Sequence, residues 1–421
     1  MSETQDKASP AGETPQAQGA YAAFAFRDFR FWIAYRLLSG VALQMKNVGV
    51  GWYIYDLTGS ALALGLAGLA TFMPSVVLAL FTGHVADSYN RRLVVVLSFG
   101  LCAIGMGALA VAVLMGAAPL WLIYVSVVLI GIGRAFGNPA SQAITPNLVP
   151  REAFANAVTW YSSFWQVATV GGPAIGGLLY IGGPSVCFVA ATACFVAACV
   201  MVAVIRTPLD PPKSGKGPIS IASLLVGLHF MWSRPVMFGA VALDLVAVLF
   251  GGVAGLLPIV AKDILMTGPW GLGLLRSCPA VGAIAMSAVL AYYPITSKAG
   301  RKMLLAVVVY GLAIAAFGLS ETLWLSMIAL CVVGASDSVS VVVRHTMVQS
   351  EAPDEMRGRV AAVNSVFISG SADLGEFRAG TMGAFVGAAN AIILGGLTTS
   401  ALALLWFKLF PDLARRDKIV N

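Results

Sequence analysis

From Phe29 to about residue 410 the chain alternates between long apolar runs and short polar breaks. The runs fall at 30–55, 61–82, 93–116, 119–142, 153–180, 184–205, 235–261, 270–291, 303–320, 323–347, 360–386 and 388–410. Each approaches or exceeds the ~20 residues that a helix needs to cross the hydrocarbon core of a bilayer. The pattern predicts an all-α integral membrane protein with twelve spans. Residues 1–20 are rich in Ser, Thr, Gln, Pro, Gly and Ala. They lack the apolar stretch of a cleaved signal and are expected to form a disordered tail. A Pro/Gly/Lys stretch from Pro208 to Pro218 divides the chain near its middle, and Ile219 to Trp232 has the character of an amphipathic helix lying at the membrane surface. The expected organisation is a tail (1–20), a six-helix half (21–206), a linker with the interfacial helix (207–234), a second six-helix half (235–410) and a short tail (411–421).

Charge gives the orientation. Arg27 and Arg30, Arg91 and Arg92, Arg151, Arg206 with Lys213 and Lys216, Lys298 with Arg301 and Lys302, Arg357 and Arg359, and Arg415, Arg416 and Lys418 all fall at the termini or after even-numbered runs. The opposite loops hold almost no basic residue, Lys262 beside Asp263 excepted. Cytoplasmic loops carry the Lys/Arg excess, so both termini are expected in the cytoplasm.

Composition agrees. Only 11% of the 421 residues are charged and the mean hydropathy is +0.86, whereas soluble domains carry about 25% charge. The net charge of +7 comes from loop clusters and implies no nucleic-acid partner. Cys102, Cys187, Cys194, Cys199, Cys278 and Cys331 lie inside apolar runs without a CxxC pair, and the histidines at 84, 229 and 345 form no ligand cluster. No disulfide, metal or cofactor is implied. A phosphate-binding Gly loop, a nucleophile elbow and a Walker motif are all missing, so no enzyme or direct ATP hydrolysis is expected.

The chain repeats itself. At an offset of 203 residues Pro150 falls on Pro353, Glu152 on Glu355, Phe164 on Phe367, Gly172 on Gly375, Gly177 on Gly380, and Arg134 on Asp337. Arg91-Arg92 matches Arg301-Lys302 at an offset of 210. Duplication followed by loop insertions leaves such a drifting offset.

Between the second and third runs stands Gly83-His-Val-Ala-Asp-Ser-Tyr-Asn-Arg-Arg92. It reads as a tight polar hairpin, with Gly83 allowing the helix end to approach its neighbour and Asn90 able to take a positive φ. Gly83, Asp87, Arg91 and Arg92 resemble the signature joining helices two and three in the major facilitator superfamily, although Val85, Ser88 and Asn90 depart from it. The resemblance implies two pseudo-symmetric six-helix halves, related by an axis along the membrane normal, with the substrate site between them. It also implies that Asp87, with Arg91 and Arg92, gates the cytoplasmic side by docking near the start of the eleventh run, where Arg357 and Arg359 stand.

An ionisable side chain inside a bilayer is costly and marks a candidate site. In this superfamily helices one, four, seven and ten line the cavity. Here they carry Arg36 and Lys46, Arg134, Asp244, and Asp337. The bases lie in the first half and the acids in the second, so Arg36 is expected opposite Asp244 and Arg134 opposite Asp337, either as substrate contacts or as structural ion pairs. Lys46 stands among Gln44, Met45 and Asn47 and is a candidate for an anionic or polar group of the substrate. Asp373 and Glu376, three apart, share one helix face. Two carboxylates in an apolar site cannot both ionise cheaply, which makes them, with Asp337, candidate proton carriers unless Arg276 or Arg378 neutralises them.

The fifth run contains Ala168-x-x-x-Gly172-Pro173-x-x-Gly176-Gly177. Its glycines permit close helix approach and its proline a bend. It resembles the antiporter motif of drug-exporting members. The opening Phe29 to Arg36, the stretch Tyr55 to Ser60, and Pro353-Asp-Glu-Met-Arg-Gly-Arg-Val360 resemble the bacterial branch that includes the enterobactin exporter and related secretion and multidrug pumps. The resemblance implies an inner-membrane, proton-coupled exporter of a siderophore or an amphipathic drug-like molecule. Its partners would be the substrate, protons and the lipid bilayer, with no obligate protein partner. Import of a metabolite, or a non-transporting sensor or scaffold on the same fold, are the alternatives.

Overall fold

The computed structural model describes residues 19–116, 118–209, 221–351 and 353–417. The first eighteen residues, most of the Pro/Gly/Lys linker and the last four residues lie outside it. All twelve apolar runs fall on helix. The helices are α1 (Arg27–Thr58), α2 (Ala61–Val77), α3 (Ala79–Ser88), α4 (Arg91–Leu114), α5 (Leu120–Ile144), α6 (Arg151–Ile181), α7 (Pro184–Ala203), α8 (Ile221–Trp232) and α9 (Pro235–Gly251). The chain continues with α10 (Leu257–Ile259), α11 (Pro269–Tyr292), α12 (Ala299–Leu319), α13 (Leu323–Glu351), α14 (Asp354–Val386), α15 (Ala388–Leu409) and α16 (Pro411–Arg415).

By length and composition, nine of the helical stretches among the described residues can cross a membrane: the helices at α4, α5, α6, α7, α9–α10, α11, α12, α13 and α15. The other three expected spans fail for identifiable reasons. At 1.5 Å per residue the 32 residues of α1 would reach about 48 Å, but Arg36, Lys46 and Asp56 lower its hydropathy. Helix α14 likewise carries Asp373, Glu376 and Arg378. The second run is divided into α2 and α3 at Leu78, four residues after Pro74, so that neither piece alone is long enough.

Local chemistry sets the ends. Gly59, at φ 58°, closes α1 by donating its N–H to the Tyr55 carbonyl. The Ser60 side chain accepts from the Ala63 N–H and starts α2. The hairpin differs from its expectation in two respects. Gly83 lies inside α3, which continues to Ser88. Asn90 has a negative φ of −57° and caps α4, its Oδ1 accepting from the N–H groups of Arg92 and Leu93.

Two sets of helices share one packing plan. In the first, α1 packs on α6 and α7, and α4 packs on α5 and α7. In the second, α9 packs on α14 and α15, and α12 packs on α13 and α15. The sets join through α6 against α11 and α2 against α14. Each contact has its counterpart six spans away, as the repeat in the sequence requires. Leu97, Ile104, Leu178 and Ile328 are exposed on the outer surface, where lipid replaces water. Helix α8 seats Met231 beside Met237 and Val360 and leaves Trp232 exposed. All six cysteines are free.

Close approach within the second set depends on Gly334 of α13, where a Cβ would run into the Pro279 carbonyl of α11. Gly334→Ala should destabilise the protein by about 1–3 kcal/mol, read as a lower thermal unfolding midpoint. Gly100→Ala, with nothing within 4 Å, should not.

Candidate functional site

The two helix sets meet at the end of the bundle away from the basic loops. There Tyr55, near the end of α1, donates its hydroxyl proton to the carboxylate of Asp263, and Lys262 pairs with Asp56. Lys262 and Asp263 sit in a π-turn, Val260–Ile264, that ends the stretch begun by α9. A Cβ on Gly380 of α14 would lie 2.6 Å from the Gly65 Cα of α2, and one on Gly177 of α6 would lie 2.6 Å from the Pro269 carbonyl oxygen of α11. On the same helix, Gly172 backs onto Gln44 and Gly176 onto Met45 of α1. Helix α6 therefore uses its glycines on two faces, one against its own set and one against the other. Pro173 lies on the second face, its carbonyl against Gly273.

Beneath this closure lie two chambers. One, of about 170 Å³, is lined by Lys46 and Asn47 of α1, Arg134 of α5, Arg276 of α11, and Asp373 and Glu376 of α14. Lys46 is only 5% exposed. No two of its charges come within ion-pair distance of each other. The other, of about 360 Å³, is lined by Gln44, Pro173, Tyr310 and Asp337, with Val248, Leu330 and Val333 among its apolar walls. Arg276 and Glu376 line both chambers and stand at their junction.

The expected charge pairs are not those formed. Asp244 does not face Arg36: it is bound at 2.7 Å by Arg344 of α13, with both residues almost fully buried. Arg344 also donates to Asn364 of α14. Arg36 instead lies 4.3 Å and 4.1 Å from the ring centroids of Tyr161 and Trp165, cation–π contacts that hold it against α6. Arg134 joins Asp373 and Glu376 in the smaller chamber, while Asp337 lines the larger one and, with Asp244 and Tyr310, a small cavity beside it. Arg134 and its repeat partner therefore line different cavities.

Arg378 is turned away from the acids and donates to the carbonyls of Leu249 and Phe250, at the end of α9. Arg91 and Arg92 donate to the carbonyls of Ala143 and Thr207. Those contacts stay within the first set and do not reach across to α14. The side chains of Asp87, Arg357 and Arg359 lie outside the described residues. Sequence reasoning passed over Arg344, although it stands seven residues after Asp337 and so on the same helix face. It treated Arg276 only as a possible neutraliser. No group of potential metal ligands occurs among the described residues.

A family model described as "Transmembrane secretion effector" matches residues 18–419. The chain is 30% identical over 385 residues to the enterobactin exporter EntS of Shigella dysenteriae serotype 1 (strain Sd197), covering 90% of this chain and 91% of that protein. It is equally similar to the same exporter of Escherichia coli O81 (strain ED1a). Among solved structures, a mutant of the nucleoside transporter NupG superposes with a TM-score of 0.75 at 11% identity, covering 91% of this chain and all of that one. A bacterial homolog of the human lysosomal transporter Spinster gives 0.73 at 15% identity, covering 92% and 98%.

If Arg344 is the partner that Asp244 needs, Arg344→Gln should cost about 3–5 kcal/mol by leaving a buried charge uncompensated, and adding Asp244→Asn should restore most of it. Thermal unfolding of the two variants checks this. A single variant as stable as the wild type would contradict it.

Proposed function

The chain belongs to the transmembrane secretion effector family of the major facilitator superfamily, and from that premise we propose that it exports a siderophore or an amphipathic drug-like molecule, driven by the proton gradient. One observation carries the proposal: five unpaired charges, drawn from both helix sets, line one chamber beneath a closed end. Charges kept apart inside an apolar bundle are poised to meet a ligand. The enterobactin exporters to which the chain is similar favour export over import and over a non-transporting scaffold.

The protein resides in the bacterial inner membrane with both termini and the basic loops in the cytoplasm. On that orientation the closed end faces outward, and the chambers load from the cytoplasm. Export then requires the contacts Gly65–Gly380 and Gly177–Pro269 to separate while the basic-loop end closes. Asp87, Gly83, Arg91 and Arg92 serve that closure, and Gly172, Pro173, Gly176 and Gly177 let α6 move against its neighbours.

Coupling to protons falls to Asp337. Asp244 and Asp337 share a small polar cavity with Tyr310, and the Arg344 ion pair is already taken by Asp244. A proton on Asp337 balances this cluster, and releasing it unbalances the cluster again. Asp373 and Glu376 face Lys46, Arg134 and Arg276, so their protonation is tied to what else occupies that chamber. Lys46 and Arg134 contact the substrate. Asp244 and Arg36 act as supports through Arg344 and the α6 aromatics.

In inside-out vesicles with an imposed proton gradient, a catecholate siderophore or a cationic dye should accumulate. Asp337→Asn should reduce that accumulation to background while leaving the protein folded. Accumulation indifferent to the gradient, or unchanged by the substitution, would contradict the coupling.

A further inference from the structure

Three cations, Lys46, Arg134 and Arg276, face two carboxylates, Asp373 and Glu376, in the smaller chamber. The chamber therefore holds one more positive than negative charge, a surplus that the larger chamber preserves when Asp337 carries its proton. Among the described residues none of the five is matched by an ion pair. Of the five, Arg276 alone has a side-chain nitrogen that is fully buried without a partner. One of its terminal nitrogens donates to the Ala254 carbonyl at 3.0 Å, while its Nε is buried without a partner. A guanidinium has five donors in a rigid fork that fits a planar oxyanion. Its remaining donors stand at the junction of the two chambers.

The second chamber has the opposite character. Val248, Leu257, Leu330 and Val333 contribute apolar walls, and Tyr310 and Asp337 lie at its far side. At about 360 Å³ it is of the size that takes a small-molecule body, for which pockets start near 300 Å³. An apolar chamber that opens onto an unmatched guanidinium asks for a ligand with an apolar body and one anionic end.

We propose that the two chambers form a single site for an amphipathic monoanion, with Arg276 as its specificity-determining contact. The carboxylate or phenolate end sits on Arg276, Lys46 and Arg134, and the body lies against Val248, Leu330 and Val333. The site rests on the transporter reading above and names the substrate class. It also gives binding a mechanical consequence. Lys46 and Arg134 belong to the first helix set and Arg276 to the second, so the anion ties the sets together at the level of the junction. A neutral ligand with the same body leaves the surplus charge where it was and makes no such tie.

The test uses the full chain in nanodiscs of zwitterionic lipid, with empty nanodiscs subtracted. The probes are 1-naphthoate and its neutral isostere 1-naphthamide, titrated by calorimetry. The wild type should bind the carboxylate roughly tenfold or more tightly than the amide, as a charge-assisted bidentate contact implies. Arg276→Gln should remove that preference by weakening the carboxylate alone, and Arg276→Lys should keep part of it. Leu330→Trp, which fills the apolar chamber, should weaken both probes. Equal binding of the two probes to the wild type would overturn the proposal. So would no carboxylate binding at all, or a preference that survives Arg276→Gln. If the glutamine variant does not remain monodisperse, the wild-type preference and the lysine variant decide. Absence of the anion preference in the wild type, with gradient-driven accumulation of a catecholate siderophore intact, would sink this site alone. Loss of gradient-driven efflux with the preference intact would sink the transport reading alone.

Discussion

A charge inside an apolar bundle must be answered by protein or by water, and this requirement organises the molecule. Most of the buried charges have an answer. Asp244 and Arg344 take each other, Arg378 takes the carbonyls that α9 leaves open at its end, and Arg36 takes two aromatic faces. These contacts fix how the helices within each set are rotated, because a misplaced partner would strand a charge in low dielectric. Asp337 and the five charges of the smaller chamber are the exceptions. The five come from four helices of both sets and face one another across a space, beyond ion-pair distance.

The second organising element is backbone proximity without side chains. Gly65 against Gly380 and Gly177 against Pro269 allow α2 and α14, and α6 and α11, to meet almost backbone to backbone at one end. Without a hydrophobic driving force between helices in lipid, such packing and a few polar contacts carry the association. The polar contacts here are Tyr55 to Asp263 and Asp56 to Lys262, the second of them partly exposed and correspondingly weak. The joint also buries Leu256, Val260 and Leu272 in an apolar cluster shared with α1. The chambers lie just beneath it, so occupancy of the chambers and state of the joint involve the same helices.

Much of this was legible in the sequence. The twelve apolar runs, the offset of 203 residues and the hairpin from Gly83 to Arg92 led to the superfamily and the repeated packing plan. Lys46, Arg134, Asp373 and Glu376 were recognised one by one and do share a chamber. Their partners were not legible, because the repeat gives equivalent positions and not equivalent rotations: Arg134 and Asp337 correspond in sequence and face different spaces. Gly83 and Asn90 misled for a local reason. A glycine can sit within a helix, and an Asn side chain caps a helix start at negative φ as well as it tolerates the left-handed region. Arg344 could have been found from its seven-residue spacing to Asp337. Arg276 was named only as a possible neutraliser of Asp373 and Glu376, and the packing of α11 against α6 is what brings it to the junction.

The central claim is that the two ends of the bundle open in alternation around these chambers. Its most direct measurement is a pair of spin-label distances in one preparation. One distance runs between Leu57 and Met266 at the closed end, the other between Tyr89 and Gln349 at the basic-loop end, all four positions being exposed. On adding a transported cargo and protons, the first distance should lengthen in the same fraction of molecules in which the second shortens. Two distances that lengthen together, or a closed end that stays short whatever is added, would contradict the account.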